Sequence, residues 1–260
     1  MSESAIVNYH IKSADNQAFH FDVDGIVGNL VSPELLPTRI SVTDVRNNRS
    51  SINFETDSIT FERHASRIED YSDPSDWRDT YDTELKLLLE DRIGAKDVIV
   101  FDHTVRIDAL DAERRPARNV HTDYSRAGAE QRLIDIVGED RARAFRAGHY
   151  AFVNVWRPIE HPILTSPLGF IRPRSMADDD WMTIELIYPD RVGQILGVAA
   201  NHNHDWFYMS RMTPTDVAIF NIYDNAGRPF LGHSALDMAD AIDVTAPRKS
   251  IESRTLVRYR

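Results

Sequence analysis

The first part of the chain alternates short apolar runs with polar, turn-forming residues. The runs AIVNYHI, AFHFDV, ISVTDV and INFETDSITF are separated by Asn, Asp, Gly and Pro. Apolar runs of this length, bounded by such residues, are typical of short β-strands joined by turns. We therefore predict a strand-rich region before the first helix.

Helical periodicity follows this region. The segment SDPSDW (Ser72–Trp77) offers a capping side chain and an early proline, which both mark helix starts. Apolar side chains then recur at helical spacing as Tyr81, Leu85, Leu88, Leu89 and Ile93. The pattern predicts a helix from about Pro74 to Ile93 that ends at Gly94, and a buried strand at Asp97–Ile107. A later stretch rich in Ala and Arg predicts one or two helices that end near Gly148.

From Tyr150 onward the pattern returns to β-strands. About seven apolar segments, from YAFVNVW to SIESRTLVRY, are separated by Pro, Gly, Asn or Asp. Many short strands at near-regular spacing favour a sandwich or a jelly-roll barrel, and the helices would cover one of its faces. No internal repeat or low-complexity linker marks a domain boundary.

Composition and charge restrict the classes of function. The chain has 260 residues, a formal net charge of −11 and no cysteine. The negative charge disfavours nucleic-acid and anionic-membrane partners, which bind basic surfaces. Without cysteine, disulfides, thiolate metal ligands and cysteine nucleophiles are excluded. No apolar run approaches the roughly 20 residues that span a bilayer, and no secretion signal is visible, so we predict a cytoplasmic protein.

The segment VHTDYS places two metal-binding residue types at a suitable spacing. In a strand, residues i and i+2 point to the same side, so His121 and Asp123 can offer an imidazole and a carboxylate to one ion. Two histidines and one carboxylate form the facial arrangement that binds Fe(II) and leaves positions open for other ligands. The sequence therefore predicts part of a metal site here, with the third ligand supplied from elsewhere.

Several histidines are candidates for the third ligand. His202, His204 and His233 are the main ones, whereas His149 and His161 are less well placed. We favour His233, which lies where a strand ends in a turn and a second strand begins. His204 has an aromatic neighbourhood, HNHDWFYM, that also suits the wall of a substrate pocket.

A strand near the C-terminus carries side chains suited to binding a carboxylate. Alternation in PRKSIESRTLVRY puts Arg248, Ser250, Glu252 and Arg254 on one side. An arginine with a nearby hydroxyl suits the distal carboxylate of a dicarboxylate, because bidentate charged hydrogen bonds provide both energy and geometry. We predict Arg248 and Ser250 as this anchor, with Arg254 as the competitor for the role.

The motifs taken in order resemble a known enzyme family. The similarity covers roughly residues 97–258 and rests on FDHTVR, PARNVHTDYS, VNVWRPI, PLGFIRPRS, HDWFYM, YDN…GHSA and PRKSIESR. These segments resemble 2-oxoglutarate-dependent Fe(II) oxygenases. They are most similar to the hydroxylase/desaturase family of secondary metabolism, which includes AsaB-like and gibberellin desaturase-like proteins and a cephamycin-pathway component.

The resemblance implies a cofactor set, a fold and an activity. Fe(II) would be bound by His121, Asp123 and His233, and 2-oxoglutarate by the Arg248 strand, with O2 as the second cosubstrate. A double-stranded β-helix (jelly-roll, cupin-like) core is expected at residues 96–260, with residues 1–95 packed on it in a single domain, 1–260. The expected reaction oxidises a C–H bond of a small-molecule secondary metabolite by hydroxylation, desaturation, cyclisation or endoperoxidation.

Substrate contacts and alternative functions complete the expectations. Candidate substrate contacts near the motifs are Tyr124, Trp156, Arg157, His204 and Trp206. One alternative is a metal-dependent barrel enzyme that does not use 2-oxoglutarate, which would leave Arg248 and Ser250 without a role. The other is a non-catalytic β-barrel binding module, in which His121, Asp123 and His233 would be surface polar residues. A homo-oligomer also stays open.

Overall fold

A computed structural model describes residues 2–13, 15–26, 29–240 and 246–259. The helices are Phe54–Asp57 (α1), Pro74–Ile93 (α2) and Arg126–Arg146 (α3), with 3-10 turns at Val23–Gly25, Arg46–Ser51, Pro173–Ser175 and Asp178–Asp180. The strands are Ser2–His10 (β1), Gln17–Phe21 (β2), Leu30–Val31 (β3), Leu35–Asp44 (β4), Ile59–Arg63 (β5), Asp97–Ile107 (β6), His121–Thr122 (β7), Tyr150–Pro158 (β8), Leu168–Ile171 (β9), Trp181–Ile187 (β10), Val192–Val198 (β11), Trp206–Tyr208 (β12), Asp216–Asp224 (β13), His233–Ala235 (β14), Asp237–Met238 (β15) and Lys249–Arg258 (β16).

Two β-sheets form the body of the fold. The large sheet has the strand order β15-β1-β4-β12-β9-β14-β7-β11-β10-β2-β3, and the small sheet has the order β5-β13-β8-β16-β6. Phe170 of the large sheet and Phe220 of the small sheet belong to one buried apolar cluster, with ring centres 5.3 Å apart. The two sheets therefore face each other across a shared core. The mainly β class with flanking helices, predicted from the sequence, is confirmed.

Helix α2 covers the outer face of the small sheet. The Asp73 side chain caps its first turn by accepting a hydrogen bond from the Ser75 amide, and Gly94 ends it in the left-handed region with φ 68°. Glycine suits that position because it lacks the Cβ that disfavours positive φ. The helix predicted at Pro74–Ile93 is confirmed. The apolar side chains that it buries are Trp77, Tyr81, Leu85, Leu88, Leu89 and Ile93.

Helix α3 starts immediately after the strand that carries His121. The Ser125 side chain caps it by accepting a hydrogen bond from the Gly128 amide, and the helix bends at Gly138, where φ is 77°. Leu133 and Phe145 are buried in the cluster between the two sheets. The Ala- and Arg-rich stretch therefore forms two helical segments joined by a kink at Gly138, and its apolar side packs against the core between the sheets.

Two strand predictions need correction. Strand β6 was expected to be buried, but most of its side chains are partly exposed because it is an edge strand of the small sheet. The region from Tyr150 onward contains strands β8 to β16, which exceeds the predicted seven, because the short strands β14 and β15 carry no alternating pattern of their own. Pairing with neighbours, and not local sequence, creates such short strands.

The N-terminal region contributes to the same sheet as the candidate metal site. Strand β1 pairs with β4, and β4 pairs with β12, so both belong to the large sheet that also contains β7 and β14. The boundaries of a single 1–260 domain, with parts at 1–95 and 96–260, stay a prediction. Among the described residues, no helix has the length and apolar character needed to cross a membrane.

Candidate metal and cosubstrate site

Two neighbouring strands of the large sheet bring His121 and His233 together. Strands β7 and β14 are antiparallel, and His121 is the register partner of His233. Asp123, just beyond β7, places its Oδ1 3.5 Å from His121 Nε2 and 3.8 Å from His233 Nε2. One ligand atom from each residue lies within 4.8 Å of the other two. The three side chains could therefore hold one metal ion.

Backbone carbonyls orient both imidazoles. His121 Nδ1 lies 2.8 Å from the Asn119 carbonyl oxygen, and His233 Nδ1 lies 3.0 Å from the Leu231 carbonyl oxygen. A proton donated from Nδ1 leaves Nε2 of each ring as the unprotonated, metal-binding atom. Burial, together with the adjacent His121, lowers the pKa of His233 to about 3. His233 is therefore neutral at pH 7, as metal coordination requires.

The two carboxylate oxygens of Asp123 have different surroundings. Oδ2 accepts hydrogen bonds from Asn154 Nδ2 and Arg254 Nε, each at 2.9 Å, whereas Oδ1 faces the two imidazoles. Burial alone would raise the pKa of Asp123, but the Arg254 guanidinium and the two histidines lower it well below its usual range. The carboxylate is ionised, and one of its oxygens is directed towards the Nε2 atoms. This donor set fits a divalent metal such as Fe(II).

Arg248, directly before β16, and Ser250 on β16 form a buried polar pair with unused hydrogen-bonding groups. Arg248 is 3% exposed and Ser250 is 1% exposed. Arg248 Nε and Nη1 and Ser250 Oγ have no hydrogen-bond partner among the described residues. The Arg248 guanidinium lies 5.3 Å from the ring centre of Trp156. Burying donors without acceptors is costly, so this pair is suited to an anionic ligand.

Arg106 is a further candidate for anion binding, and the sequence alone did not reveal it. It is the register partner of Ser250 in the pairing of β6 with β16, so the two side chains leave the sheet side by side. Burial, followed by repulsion from Arg106, lowers the pKa of Arg248 to about 9. An anion near both guanidinium groups would relieve this repulsion. In the sequence, Asp102, Thr104 and Arg106 alternate as polar residues along β6. This alternation could have indicated a polar strand face, but only the strand register places Arg106 beside Ser250.

Arg254 has partners that differ from those expected. Its Nε donates to Asp123, its Nη1 donates to Asp102 at 2.7 Å, and its Nη2 donates to Glu252 at 2.6 Å. All three guanidinium nitrogens are thus engaged with carboxylates of the protein. The prediction that Arg254 binds the cosubstrate stays a prediction, but these contacts favour Arg248 for that role. Of the two arginines, Arg248 keeps donors that are unused among the described residues.

His204 and Trp206 pack away from the candidate metal ligands. His204 Nδ1 lies 2.7 Å from the Tyr9 hydroxyl, and its Nε2 lies 3.1 Å from Asp180 Oδ2. Trp206 Nε1 donates to the same Tyr9 hydroxyl. Trp206 belongs to a separate apolar cluster, while its neighbour Phe207 joins the core between the sheets. These contacts do not bring His204 and Trp206 to the candidate metal ligands, and their role as substrate contacts stays a prediction.

Arg157 lies on the outer face of the small sheet. Its Nη1 donates to the His64 carbonyl oxygen at 3.2 Å, and its Nη2 lies 2.9 Å from His64 Nδ1. The guanidinium also lies 5.4 Å from the ring centre of Tyr81 on α2. The adjacent Trp156 points the other way, into the core, because successive strand residues alternate. The structure does not bring Arg157 to the candidate metal ligands, and its role as a substrate contact stays a prediction.

Tyr124 and Trp156 are the predicted contacts that lie beside the site. Tyr124 directly follows Asp123, and its ring centre is 5.1 Å from that of Phe152, which faces the core. Trp156 lies next to the Arg248 guanidinium, where it is placed to line an anion pocket. Both roles stay predictions.

Comparisons with known proteins identify the family of this chain. A profile of the family described as "YDMC: Oxidoreductase/YMDC permease-like domain" matches residues 7–258. The hydroxylase/desaturase efuI of Hormonema carpetanum is 29% identical over 84% of this chain and 82% of that protein. The alpha-ketoglutarate-dependent dioxygenase phiK of a fungal species is 28% identical over 85% of this chain and 83% of that protein. The resemblance to the hydroxylase/desaturase family predicted from the motifs is confirmed.

A solved structure shares the fold. The iron and alpha-ketoglutarate-dependent endoperoxidase NvfI superimposes with a TM-score of 0.85 at 22% identity, over 99% of this chain and 98% of that one. This similarity confirms the predicted jelly-roll core. Because the family profile spans nearly the whole chain, the chain belongs to the YDMC family of oxidoreductase/YMDC permease-like domains.

Proposed function

We propose that the chain is an Fe(II)- and 2-oxoglutarate-dependent dioxygenase that oxidises a C–H bond of a small-molecule substrate. The observation that carries this proposal is a pairing of two complementary features. One is the histidine–carboxylate–histidine cluster, whose ligand atoms lie within 4.8 Å of one another, and the other is a buried arginine, Arg248, with donors unused among the described residues. Arg254, six residues beyond Arg248, contacts the carboxylate of the cluster. A dication suits the first feature and a dicarboxylate suits the second.

The proposed roles follow from the contacts. His121 Nε2, Asp123 Oδ1 and His233 Nε2 would hold Fe(II), because their other polar atoms are already engaged with Asn119, Leu231, Asn154 and Arg254. Arg248 and Ser250 would bind the distal carboxylate of 2-oxoglutarate. Ser250, Glu252 and Arg254 alternate along β16, and Arg248 directly precedes the strand. The proposed anchor therefore lies a few residues along the chain from Arg254, which binds Asp123.

The cofactors supply the oxidising chemistry when bound, and the protein positions them. Three protein ligands leave coordination positions for the cosubstrate and O2. Phe170 and Phe220 pack against the His233 imidazole, with ring centres 6.4 Å and 5.0 Å away, so this side of the cluster is apolar. The protein residues therefore determine where the substrate is oxidised, while the metal provides the reactivity.

For the outcome of the oxidation, we propose a set of related reactions. The printed names of the relatives include a hydroxylase/desaturase and a dioxygenase, and the solved structure is an endoperoxidase. We propose a secondary metabolite as substrate, with hydroxylation, desaturation, cyclisation or endoperoxidation as outcome. A cytoplasmic location, and the absence of nucleic-acid and membrane partners, stay predictions that rest on the net charge of −11 and the lack of cysteine.

Anaerobic reconstitution tests the proposal. The protein is mixed with Fe(II) and then 2-oxoglutarate without oxygen, and the visible charge-transfer band of the ternary complex is recorded. We expect the band only when both are present, followed by succinate formation after O2 is admitted. Iron binding without the band would favour a metal enzyme that does not use 2-oxoglutarate. Absence of iron binding would favour a non-catalytic binding module.

A further inference from the structure

The guanidinium of Arg254 binds the Asp123 oxygen that does not face the imidazoles. Arg254 Nε donates to Asp123 Oδ2 at 2.9 Å, and Asn154 Nδ2 donates to the same oxygen at the same distance. Oδ1 is the oxygen that lies near the two histidine Nε2 atoms. The two donors therefore occupy one oxygen and fix the direction of the other.

Arg254 is itself held from several sides. Its Nη1 donates to Asp102 Oδ2 at 2.7 Å and to Thr104 Oγ1 at 3.2 Å, and its Nη2 donates to Glu252 Oε1 at 2.6 Å. Its side chain is 17% exposed. Rotation of the guanidinium would break several charge-assisted hydrogen bonds together, so it is a rigid support.

The charge around Arg254 suits a nearby cation. Asp102, Asp123 and Glu252 each contact this one guanidinium, which leaves the group net negative. This net negative charge favours a divalent metal at Asp123 Oδ1.

We propose that Arg254 is a positioning residue for the metal, which holds Asp123 so that only Oδ1 coordinates. A carboxylate that coordinated through both oxygens would occupy a position that the cosubstrate or O2 needs. With Oδ2 bound to Arg254 and Asn154, this second mode is blocked. The inference rests on the proposed function, because it requires Asp123 to be a metal ligand.

Metal binding by the Arg254→Met variant tests this role. Anaerobic Fe(II) affinity is measured by calorimetry, and Co(II) is used as a probe whose visible absorption reports coordination geometry. We expect the metal affinity to fall by about 10- to 100-fold, the size of effect typical for groups that orient metal ligands. The Co(II) spectrum should change, and Arg254→Lys should restore part of the affinity. Arg258→Met is the matched control, since Arg258 lies on the same strand with a side chain 42% exposed.

The outcomes separate this inference from the proposed function. Wild-type Co(II) affinity and spectrum in folded Arg254→Met would overturn the positioning role. If that variant does not fold, Asp102→Asn and Glu252→Gln each remove one support of the guanidinium and should weaken metal binding in the same direction. Unchanged metal binding in both the Asp102 and the Glu252 variants would also overturn the positioning role of Arg254. His121→Ala reports on the metal centre itself. If the His121 variant still binds the metal, the proposed centre is wrong. If the His121 variant loses the metal while the Arg254 variant binds it normally, only the role of Arg254 is wrong.

Discussion

His121 and His233 face each other across strands β7 and β14, with ring centres 4.6 Å apart. This relationship makes His233, and not His204, the expected third ligand. His233→Ala should abolish iron binding, and His121→Ala and Asp123→Ala should do the same, because a catalytic site needs all three protein ligands. Iron content after anaerobic reconstitution checks this expectation, with circular dichroism to confirm the β-rich fold.

His204→Phe is the control for the metal prediction. His204 bonds to Tyr9 and Asp180 on the other face of the large sheet, so its replacement should leave iron content unchanged. Loss of iron in the His204 variant, with retention in the His233 variant, would reverse the assignment.

Arg248→Ala tests the cosubstrate anchor. A charge-assisted hydrogen bond is worth about 1.5–3 kcal/mol, and about 1.4 kcal/mol corresponds to a tenfold change in affinity. The KM for 2-oxoglutarate should therefore rise by about one to three orders of magnitude, while iron affinity changes little. Steady-state kinetics with varied 2-oxoglutarate measure the effect. Arg258→Ala, on the exposed end of the same strand, should give the wild-type KM; an equal rise in both variants would remove the case for Arg248.

Arg106→Leu tests the second guanidinium of the anion pocket. Its removal should weaken 2-oxoglutarate binding, but by less than Arg248→Ala, because Arg106 Nη1 already donates to the Arg115 carbonyl oxygen at 2.9 Å. Calorimetric titration of metal-free protein with 2-oxoglutarate isolates this contribution from metal binding. Arg114→Leu changes an exposed arginine in the loop that follows β6 and serves as the control. Equal affinity in the Arg106 variant and the wild type would show that Arg248 binds the carboxylate without it.

The stability of the metal-free protein should fall on acidification. Burial, together with His121, lowers the pKa of His10 to about 4, and the same causes lower the pKa of His233 to about 3. The unfolded chain therefore binds more protons than the folded one from about pH 6.5 downwards, so the free energy of unfolding decreases as the pH decreases. Each group contributes up to about 1.4 kcal/mol per pH unit between its unfolded and folded pKa values.

Urea denaturation of metal-free protein from pH 7 to pH 4.5 measures this slope. His10→Gln should reduce it, because the variant lacks one of the buried imidazoles whose pKa is lowered in the folded protein. His20→Gln replaces an exposed histidine on β2 and should leave the slope unchanged. An unaltered slope in the His10 variant would show that His10 does not contribute.

Features that depend on local spacing were predictable from the sequence. Helix α2 begins and ends where its capping residues indicate, because Asp73 and Gly94 act on their own backbone neighbourhood. His121 and Asp123 were predicted to point to one side, and their side chains do lie together, because alternation along an extended chain brings i and i+2 to one side. The ordered motifs also predicted the family, which the comparisons confirm.

Only the tertiary structure decided between residues that look alike in sequence. His204 and His233 both follow polar turns, and the pairing of β7 with β14 is what places His233 beside His121. Arg248 and Arg254 share one strand face, but Asp102 on the neighbouring β6 and Asp123 beyond β7 engage Arg254. The partners that bind an arginine come from distant strands whose register is set by the packed sheets. Spacing along one strand therefore locates candidate side chains, and the packing of neighbouring strands determines which of them keeps its hydrogen-bond donors free for a ligand.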